Sequence, residues 1–472
     1  MKKLFLIIFS LCLLTGCEKE KDKLILVTEA GFAPYEYYSN GNIVGVDIDI
    51  AKEIAKELDK ELVIKDVAFD SIISEVKTGK SDIGAAGISY TDERQKEVNF
   101  TVPYTDSKQV VIVNNNSGIN SISYIHNKKI AVQLGSVADD YLTNNYSDVD
   151  IVREKKFLAA IQDLKDKKVD AVIMDEVPAL RLINDDMFIL DEPLLVDNYG
   201  MVINKENEEL LITANNVINR LKENGEIDNY LLHHLNVDDE KVSNNKLINR
   251  FYRSVIYDGR YKFILEGLKN TLLIAIGAVL IGIFLGFIAA ILNNIYKSTG
   301  KLKILSDIAK AYVTVIRGTP STLQLMIIYY VIFKQTSINI VLVGIIAFGI
   351  NSGAYVAEII RAGINSIDKG QWEAGYSLGL SYPQVISKII IPQAIKNILP
   401  ALGNEFITLV KETSIGAYIG IVELTKASDI IASRTYDYFF PLILIAIIYL
   451  VITLFLSKLI NIMEVRLNNA RN

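Results

Sequence analysis

The chain has 472 residues, half of them hydrophobic, with a formal net charge of -6. That length suggests roughly three domains, and the absence of a basic excess argues against nucleic acid as a partner. The mean hydropathy of +0.28 hides an asymmetry, because residues 18–262 are charged and mixed whereas 263–462 carry long apolar runs.

The chain opens MKKLFLIIFSLCLLTGC, with Lys2 and Lys3 as a positive n-region. Leu4–Leu14 is apolar but short for a bilayer span. Leu14-Thr15-Gly16-Cys17 resembles a lipobox, which implies a lipoprotein signal over residues 1–17, cleavage before Cys17 and lipidation of its sulfur. Cys12 leaves with the signal, so the mature chain keeps a single cysteine and no disulfide.

From Leu24 strands and helices alternate. LILVTEA and ELVIKDVAF read as strands, VDIDIAKEIAKELDK as an amphipathic helix and SIISEVKTGK as another; SDIGAAGI is a third strand. The alternation resumes over KKIAVQLG, VDIVRE, FLAAIQDLKDKK and VDAVIMDEVPALRLI. It implies two α/β lobes with parallel sheets covered by helices on both faces. Lobe 1 is expected over about 24–108 and 199–236, lobe 2 over about 109–198, with QVVIV (109–113) and YGMVI (199–203) as the hinge.

Residues 24–236 resemble the amino-acid-binding proteins of polar amino acid ABC importers, substrate-binding protein family 3. The resemblance rests on Phe32-Ala33-Pro34-Tyr35-Glu36, Val44-Gly45-Val46-Asp47-Ile48-Asp49, Ala86–Arg94 and Val169–Asp175. It implies an α/β two-lobed periplasmic-binding-protein type II domain over 18–236. It also implies a clamp for a zwitterion, in which Arg94 and the backbone around Gly87–Ser89 take the carboxylate. Asp175 takes the ammonium, Gly135 and Ser136 offer N–H donors at a helix start, and Phe32 and Phe69 flank the ligand side chain. Chemistry agrees, since an amino acid needs one fixed cation and one fixed anion, and the planar guanidinium suits a carboxylate. Glu29, Ser89, Gln133 and Met174 are left for the substrate side chain. No second cation is evident, which disfavours acidic ligands and leaves glutamine and the basic amino acids open. Gly79-Lys80-Ser81 mimics the end of a phosphate loop, but Ser74 stands where its first glycine belongs.

DDEKVSNNKLINRFYRS, within 237–262, reads as a solvated linker. Five spans are then expected at about 268–292, 312–333, 338–360, 398–422 and 438–460. Basic residues concentrate after the first span (Lys297, Lys301, Lys303, Lys310), in the loop after the third (Arg361, Lys369, Lys388, Lys396) and in the tail, which places those loops in the cytoplasm.

Within that second loop, Glu373–Pro392 resembles the EAA loop of ABC importer permeases. The matching positions are Glu373, Ala374, Gly375, Gly379, Ile389, Ile391 and Pro392, with Gly375 in place of the second alanine. The resemblance implies a short coupling helix that docks on a separate ATPase subunit, with Pro392 stopping it before the next span. Thr314–Pro320, Ala354–Ala362 and Leu402–Phe406 extend the likeness to histidine/glutamine-type permeases, so 263–466 is expected to be an all-α five-helix transmembrane ABC permease domain. Ionisable groups at membrane depth usually face a cavity or a partner, which makes Glu358, Glu405, Lys411 and Glu412 candidates for the transport path.

The expectation is therefore a multi-pass plasma-membrane protein, a receptor and permease in one chain that imports glutamine or a basic amino acid. With no Walker motif the ATPase belongs to another polypeptide, and five spans imply a homodimer. Neither a catalytic pair, a cofactor nor a metal site is expected. An amino-acid-gated channel or receptor is the alternative, but it leaves the coupling loop without a purpose.

Overall fold

The computed structural model describes residues 22–39, 41–235, 251–333, 338–435 and 437–469. The leader, Cys17 and the linker as far as Asn249-Arg250 lie outside them.

Lobe 1 is built on β1 (Lys23–Thr28), β2 (Glu61–Asp66), β3 (Ile83–Gly84), β4 (Asn99–Phe100) and β11 (Val202–Ile203), ordered β2-β1-β3-β11-β4. The strands β2 and β3 flank β1 in parallel, while β11 runs antiparallel to β3 and β4. Lobe 2 holds β5 (Thr105–Asn114), β6 (Lys129–Gln133), β7 (Asp150–Glu154), β8 (Ala171–Asp175), β9 (Met187–Ile189) and β10 (Leu195–Tyr199). Its order is β7-β6-β8-β5-β9, with β10 also pairing β5. The expected parallel strands are present, but each sheet is mixed, because the chain crosses between lobes twice and each crossing strand returns antiparallel.

The crossing does not lie at 109–113. Val110–Val113 sit in the middle of the lobe 2 sheet, paired with β8 and β9. An apolar run of that kind is what a strand buried on both faces requires, and it resembles a crossing strand equally well. The lobes join where Thr101–Tyr104 runs beside Tyr199–Met201, through Thr101 N–H to the Met201 carbonyl (2.9 Å) and Tyr104 N–H to that of Tyr199 (3.0 Å).

Helix α1 (Val46–Glu57) buries Val46, Ile50 and Ile54, the apolar face seen in its spacing. It starts at Gly45, whose φ is 141° and where a Cβ would lie 2.0 Å from the Tyr35 carbonyl oxygen, so no other residue fits. The helices nearest the cleft are α2 (Asp92–Glu97), α3 (Val137–Asn145), α4 (Phe157–Lys165) and α5 (Glu176–Leu182).

In the second half, α7 (Tyr261–Thr299) already begins at Tyr261, inside the expected linker; before it comes α6 (Glu208–Glu223), which packs on α1. Among the described residues, four helical stretches are long and apolar enough to cross a membrane: Tyr261–Thr299, Ile340–Asn365, Tyr382–Ile419 and Phe439–Leu467. The second expected span is instead broken into α8 (Lys303–Gly318) and the shorter α9 (Ser321–Ile327). The break is at Thr319, extended at φ -123° because Pro320 disfavours the helical region for the residue before it. Then come α10 (Ile340–Asn365), α11 (Lys369–Ser377), α12 (Tyr382–Val385), α13 (Ile391–Glu412), α14 (Leu424–Thr435) and α15 (Phe439–Asn469). Small residues bring α7 and α10 together: a Cβ on Gly282 would lie 2.8 Å from Ser352 Oγ, and one on Gly286 2.7 Å from the Ala357 nitrogen.

Pro392 does not stop a helix. A π-helical turn at Ile386–Ile390 leads into α13, where Pro392 occupies the first turn. The wide turn just before it accommodates its ring and its missing N–H within a helical stretch that runs on from Tyr382.

Lobe 1 and the membrane helices meet at one end of α7, where Tyr38 packs edge-on against Phe263. The segment Glu373–Pro392 meets α7 near the other end, where Tyr382 donates to Asn294. At 1.5 Å per residue these points are roughly 45 Å apart along the axis, well beyond a hydrocarbon core of about 30 Å.

Candidate functional site

A small cavity lies between the lobes, lined among others by Glu29, Phe32, Phe69, Gly87, Ser89 and Gln133, with Ser136 and Asp175 completing the wall. Eight of the ten side chains singled out for the ligand therefore converge on one space. Lobe 1 supplies them from strand ends and the turn after β3, lobe 2 from the ends of β6 and β8. Both sheets point their carboxyl ends at the cleft, which is where α/β sheets place ligand sites.

Asp175 ends β8. As the residue before α5 it could cap that helix, but its side chain makes no capping bond and faces the cleft. It accepts hydrogen bonds from Ser107 Oγ (2.8 Å), Gln109 Nε2 (2.6 Å) and the Tyr199 hydroxyl. Burial, reinforced by the charge of Asp197, pushes its carboxyl up to about 7 despite those donors. An ionised Asp175 is therefore short of a counter-charge, the condition that a bound ammonium relieves.

Arg94, in α2, is the ninth. Its guanidinium is buried, donates to the Ser89 carbonyl (2.6 Å) and lies over the Phe69 ring. It also crosses the cleft to the Gly135 carbonyl at 2.8 Å, so one side chain ties lobe 1 to lobe 2. Gly135, the tenth, serves through that carbonyl and not as the expected N–H donor. Its own N–H goes to Asp139 Oδ2 (3.0 Å) and that of Ser136 to the Gln133 carbonyl (3.1 Å). Ser136 Oγ caps α3 by accepting from Asp139 N–H, and Ser136 and Val137 both line the cavity at the helix start. Met174 is fully buried in the core and is not a ligand residue, because the strand alternates and Asp175 takes the cleft side.

Gly87 has φ 54°, and a Cβ there would sit 2.6 Å from the Phe32 ring, so only glycine lets the backbone pass under that aromatic. Its N–H donates to Asp47 Oδ2 (3.1 Å). Beneath lies Glu36, fully buried. Burial and then the neighbouring charge of Asp47 hold its carboxyl well above the usual range, whereas burial raises Asp47 only to about 6.

Sequence reasoning missed several residues. Phe157, stacked on Phe32 at 5.6 Å, extends the aromatic wall; it opens α4, and an aromatic at a helix start carries no distinguishing local signal. Ser107, Gln109 and Tyr199 hold Asp175 from the crossing strands. Lys156 stands 3.1 Å from Glu29. Burial alone would lower its ammonium, but Glu29 and then Asp429 and Asp66 outweigh that and raise it.

Both lobes touch the helical half. Asp66 of lobe 1 pairs with Lys426 of α14 at 2.8 Å, with side chains 5% and 4% exposed. Asp66 also accepts from Ala30 N–H and the Tyr38 hydroxyl, both at 3.0 Å, and Lys426 holds its carboxyl below the usual range against burial. Ala30 and Tyr38 pack on Ile430. Lys80, the lysine of the false phosphate loop, lies over the Tyr329 ring and donates to the Phe333 carbonyl. From lobe 2, Lys155 lies 3.4 Å over the Tyr418 ring.

In the segment Glu373–Pro392, Glu373 and Ala374 are exposed on α11 and Leu378 is 77% exposed beyond it, while Gly375 is buried. A Cβ on Gly375 would lie 2.9 Å from Val385 Cγ2, so α11 and α12 are packed as closely as a glycine allows. Gly379 turns the chain at φ 76°. Among the path candidates, Glu405 accepts from Ser352 Oγ (2.7 Å), between α13 and α10. Lys411 is exposed on α13. Glu358 is paired with Arg361 (2.6 Å) and Arg317 (3.6 Å) in a cluster that also includes Lys297 and Trp372, on the coupling side.

Residues 24–236 match the family of bacterial extracellular solute-binding proteins, family 3, and residues 268–469 match the binding-protein-dependent transport system inner membrane component. A putative glutamine transport system permease protein, GlnP, of Rickettsia typhi is 39% identical over 221 residues, 46% of this chain and 96% of that protein. The arginine transport system permease protein ArtQ of Bacillus subtilis is 41% identical over 197 residues, 41% of this chain and 88% of that protein. The crystal structure of the P235GK mutant of ArgBP from T. maritima is 36% identical with a TM-score of 0.43, covering 45% of this chain and 94% of that one.

Proposed function

We propose, since the chain belongs to the family of binding-protein-dependent transport systems, that it is the fused receptor and permease of an amino acid importer. The observation that carries this reading is the cleft: Asp175 of lobe 2 lines one small cavity with residues of lobe 1, and Arg94 of lobe 1 bridges the lobes beside it. A free amino acid presents the carboxylate and ammonium those two groups need, and closing the lobes satisfies both ends at once. The named relatives transport glutamine and arginine, and this cleft, with Glu29 and Gln133 beside the aromatic wall, suits a polar side chain of that kind.

In this reading the binding domain is extracytoplasmic, lipid-anchored at Cys17, and the coupling segment is cytoplasmic. The length of α7 between the two supports that sidedness, as does the excess of lysine and arginine in the coupling-side loops. The broken pair Lys303–Ile332 is the fifth span beside the four long helices. Glu373, Ala374, Gly375 and Gly379 dock a separate ATPase, with Pro392 starting the helix that follows. Leu450, Leu454 and Phe455 are exposed on α15, a face for lipid or for a second copy, and we propose a homodimer. Glu405 and Lys411 are the remaining path candidates.

A thermal-shift screen of the full chain in detergent against the twenty amino acids tests the assignment. A ligand at a hundred times its Kd adds about 2.7 kcal/mol to stability. A clear rise with one or two polar amino acids is expected; no shift with any of them refutes the reading.

A further inference from the structure

Glu29 is an acid in the ligand cavity, and its charge is already matched. Lys156 faces it at 3.1 Å, and the two side chains are 5% and 14% exposed. Of the other acids nearby, one has its own cation and one a neutral donor. Asp66 has Lys426 at 2.8 Å, and Asp429 accepts from the Tyr438 hydroxyl at 3.2 Å. Glu29 Oε1, although buried, nevertheless accepts no well-directed hydrogen bond. The cavity thus offers a carboxylate whose charge is balanced by Lys156 at Oε1 and which keeps acceptor capacity for a ligand N–H. Glu36, the second acid on that wall, sits at 0% exposure beside Asp47.

We propose that Lys156 is the residue that sets substrate charge: it is a tethered cation that balances Glu29, so that the cleft takes a neutral carboxamide donor in preference to a cationic side chain. The inference rests on the amino-acid reading above and narrows it to a glutamine-like ligand. A carboxamide N–H donates to Glu29 and leaves the ion pair in place. An arginine or lysine side chain has to settle beside Lys156 at a few ångströms, or to expel it from a site where its charge is largely removed from water, and either course weakens binding. Lys156 is fixed at this point by its neighbours in sequence, because Phe157 lines the cavity and Lys155 lies on Tyr418 of the helical half.

The test measures equilibrium binding of radiolabelled glutamine and arginine to the full chain in lipid nanodiscs, for the wild type, Lys156→Met, Lys156→Arg and Lys156→Met with Glu29→Gln. The wild type is expected to bind glutamine more tightly. Lys156→Met shifts the ratio towards arginine by at least tenfold, Lys156→Arg keeps the wild-type preference, and the added Glu29→Gln abolishes the shift. Should the methionine variant fail to express, Lys156→Gln reads the same ratio. A wild type that prefers arginine, or a ratio unmoved by Lys156→Met, overturns the inference while leaving the amino-acid reading intact. Failure of the wild type to bind either ligand sinks both.

Discussion

Replacing Asp175 by asparagine separates the two roles that the structure gives this residue. An asparagine oxygen can still accept from Ser107, Gln109 and Tyr199, so the local hydrogen bonds survive while the charge disappears. Removing one partner of a buried ion pair costs about 3–5 kcal/mol, which is two to four decades in Kd for a ligand ammonium. Without ligand the sign reverses. The folded-state carboxyl is raised to about 7, so above that pH the wild type holds a buried charge that the unfolded chain carries at no cost in water. Its stabilising effect is present at low pH, where both states are protonated or the native state binds the extra proton, and it is lost as pH rises through about 7. Asp175→Asn should therefore raise the melting temperature of the unliganded protein at pH 8 while weakening amino-acid binding at least a hundredfold in calorimetry. Wild-type affinity should itself fall about tenfold per pH unit below 7, and the variant should lose that dependence. A variant that binds within tenfold of the wild type at pH 8, or that melts lower without ligand, refutes the ammonium assignment.

Arg94→Ala removes the carboxylate partner and the bridge to Gly135, and should abolish measurable binding in the same calorimetric assay. Retained micromolar affinity would falsify the clamp. Lys426→Met leaves Asp66 buried and unpaired, costing about 3–5 kcal/mol of docking between the halves, and should speed proteolytic release of residues 24–235. Adding Asp66→Asn should restore much of the protection, since a pair replaced by neutral groups is often tolerated; full additivity of the two changes would contradict a direct pair. Glu373→Lys should leave amino-acid affinity unchanged but remove ligand-stimulated hydrolysis by the co-reconstituted ATPase. Undiminished stimulation would move the docking site elsewhere.

The clamp could be read from the chain because its parts lie in short stretches with distinct residue types: Arg94 shortly after Gly87 and Ser89, Asp175 at the end of an apolar strand. In the structure Gly87, Ser89 and Asp175 line one cavity and Arg94 spans the cleft beside them. The division into an α/β receptor and apolar helices was equally readable, since composition changes sharply near residue 263. What could not be read is pairing across distance. Lys156 and Glu29, or Asp66 and Lys426, are ordinary surface-type residues in sequence and acquire meaning only once three parts of the chain meet. Local signals also misled where two physical outcomes share one pattern. QVVIV suits a central strand as well as a crossing one, and Pro392 is as compatible with a first helical turn as with a stop. Hydropathy averaged over 312–333 hid the break that Thr319 and Pro320 impose.

The central claim is sidedness: a zwitterion clamp on one face of the membrane and a coupling helix on the other, in one polypeptide. Single cysteines placed at Ile212 in the binding domain and Leu378 in the coupling segment, both well exposed, can be probed with a membrane-impermeant thiol reagent. In intact cells the cysteine at 212 should label and that at 378 should label only after permeabilisation. Labelling of both, or of neither, in intact cells contradicts the account.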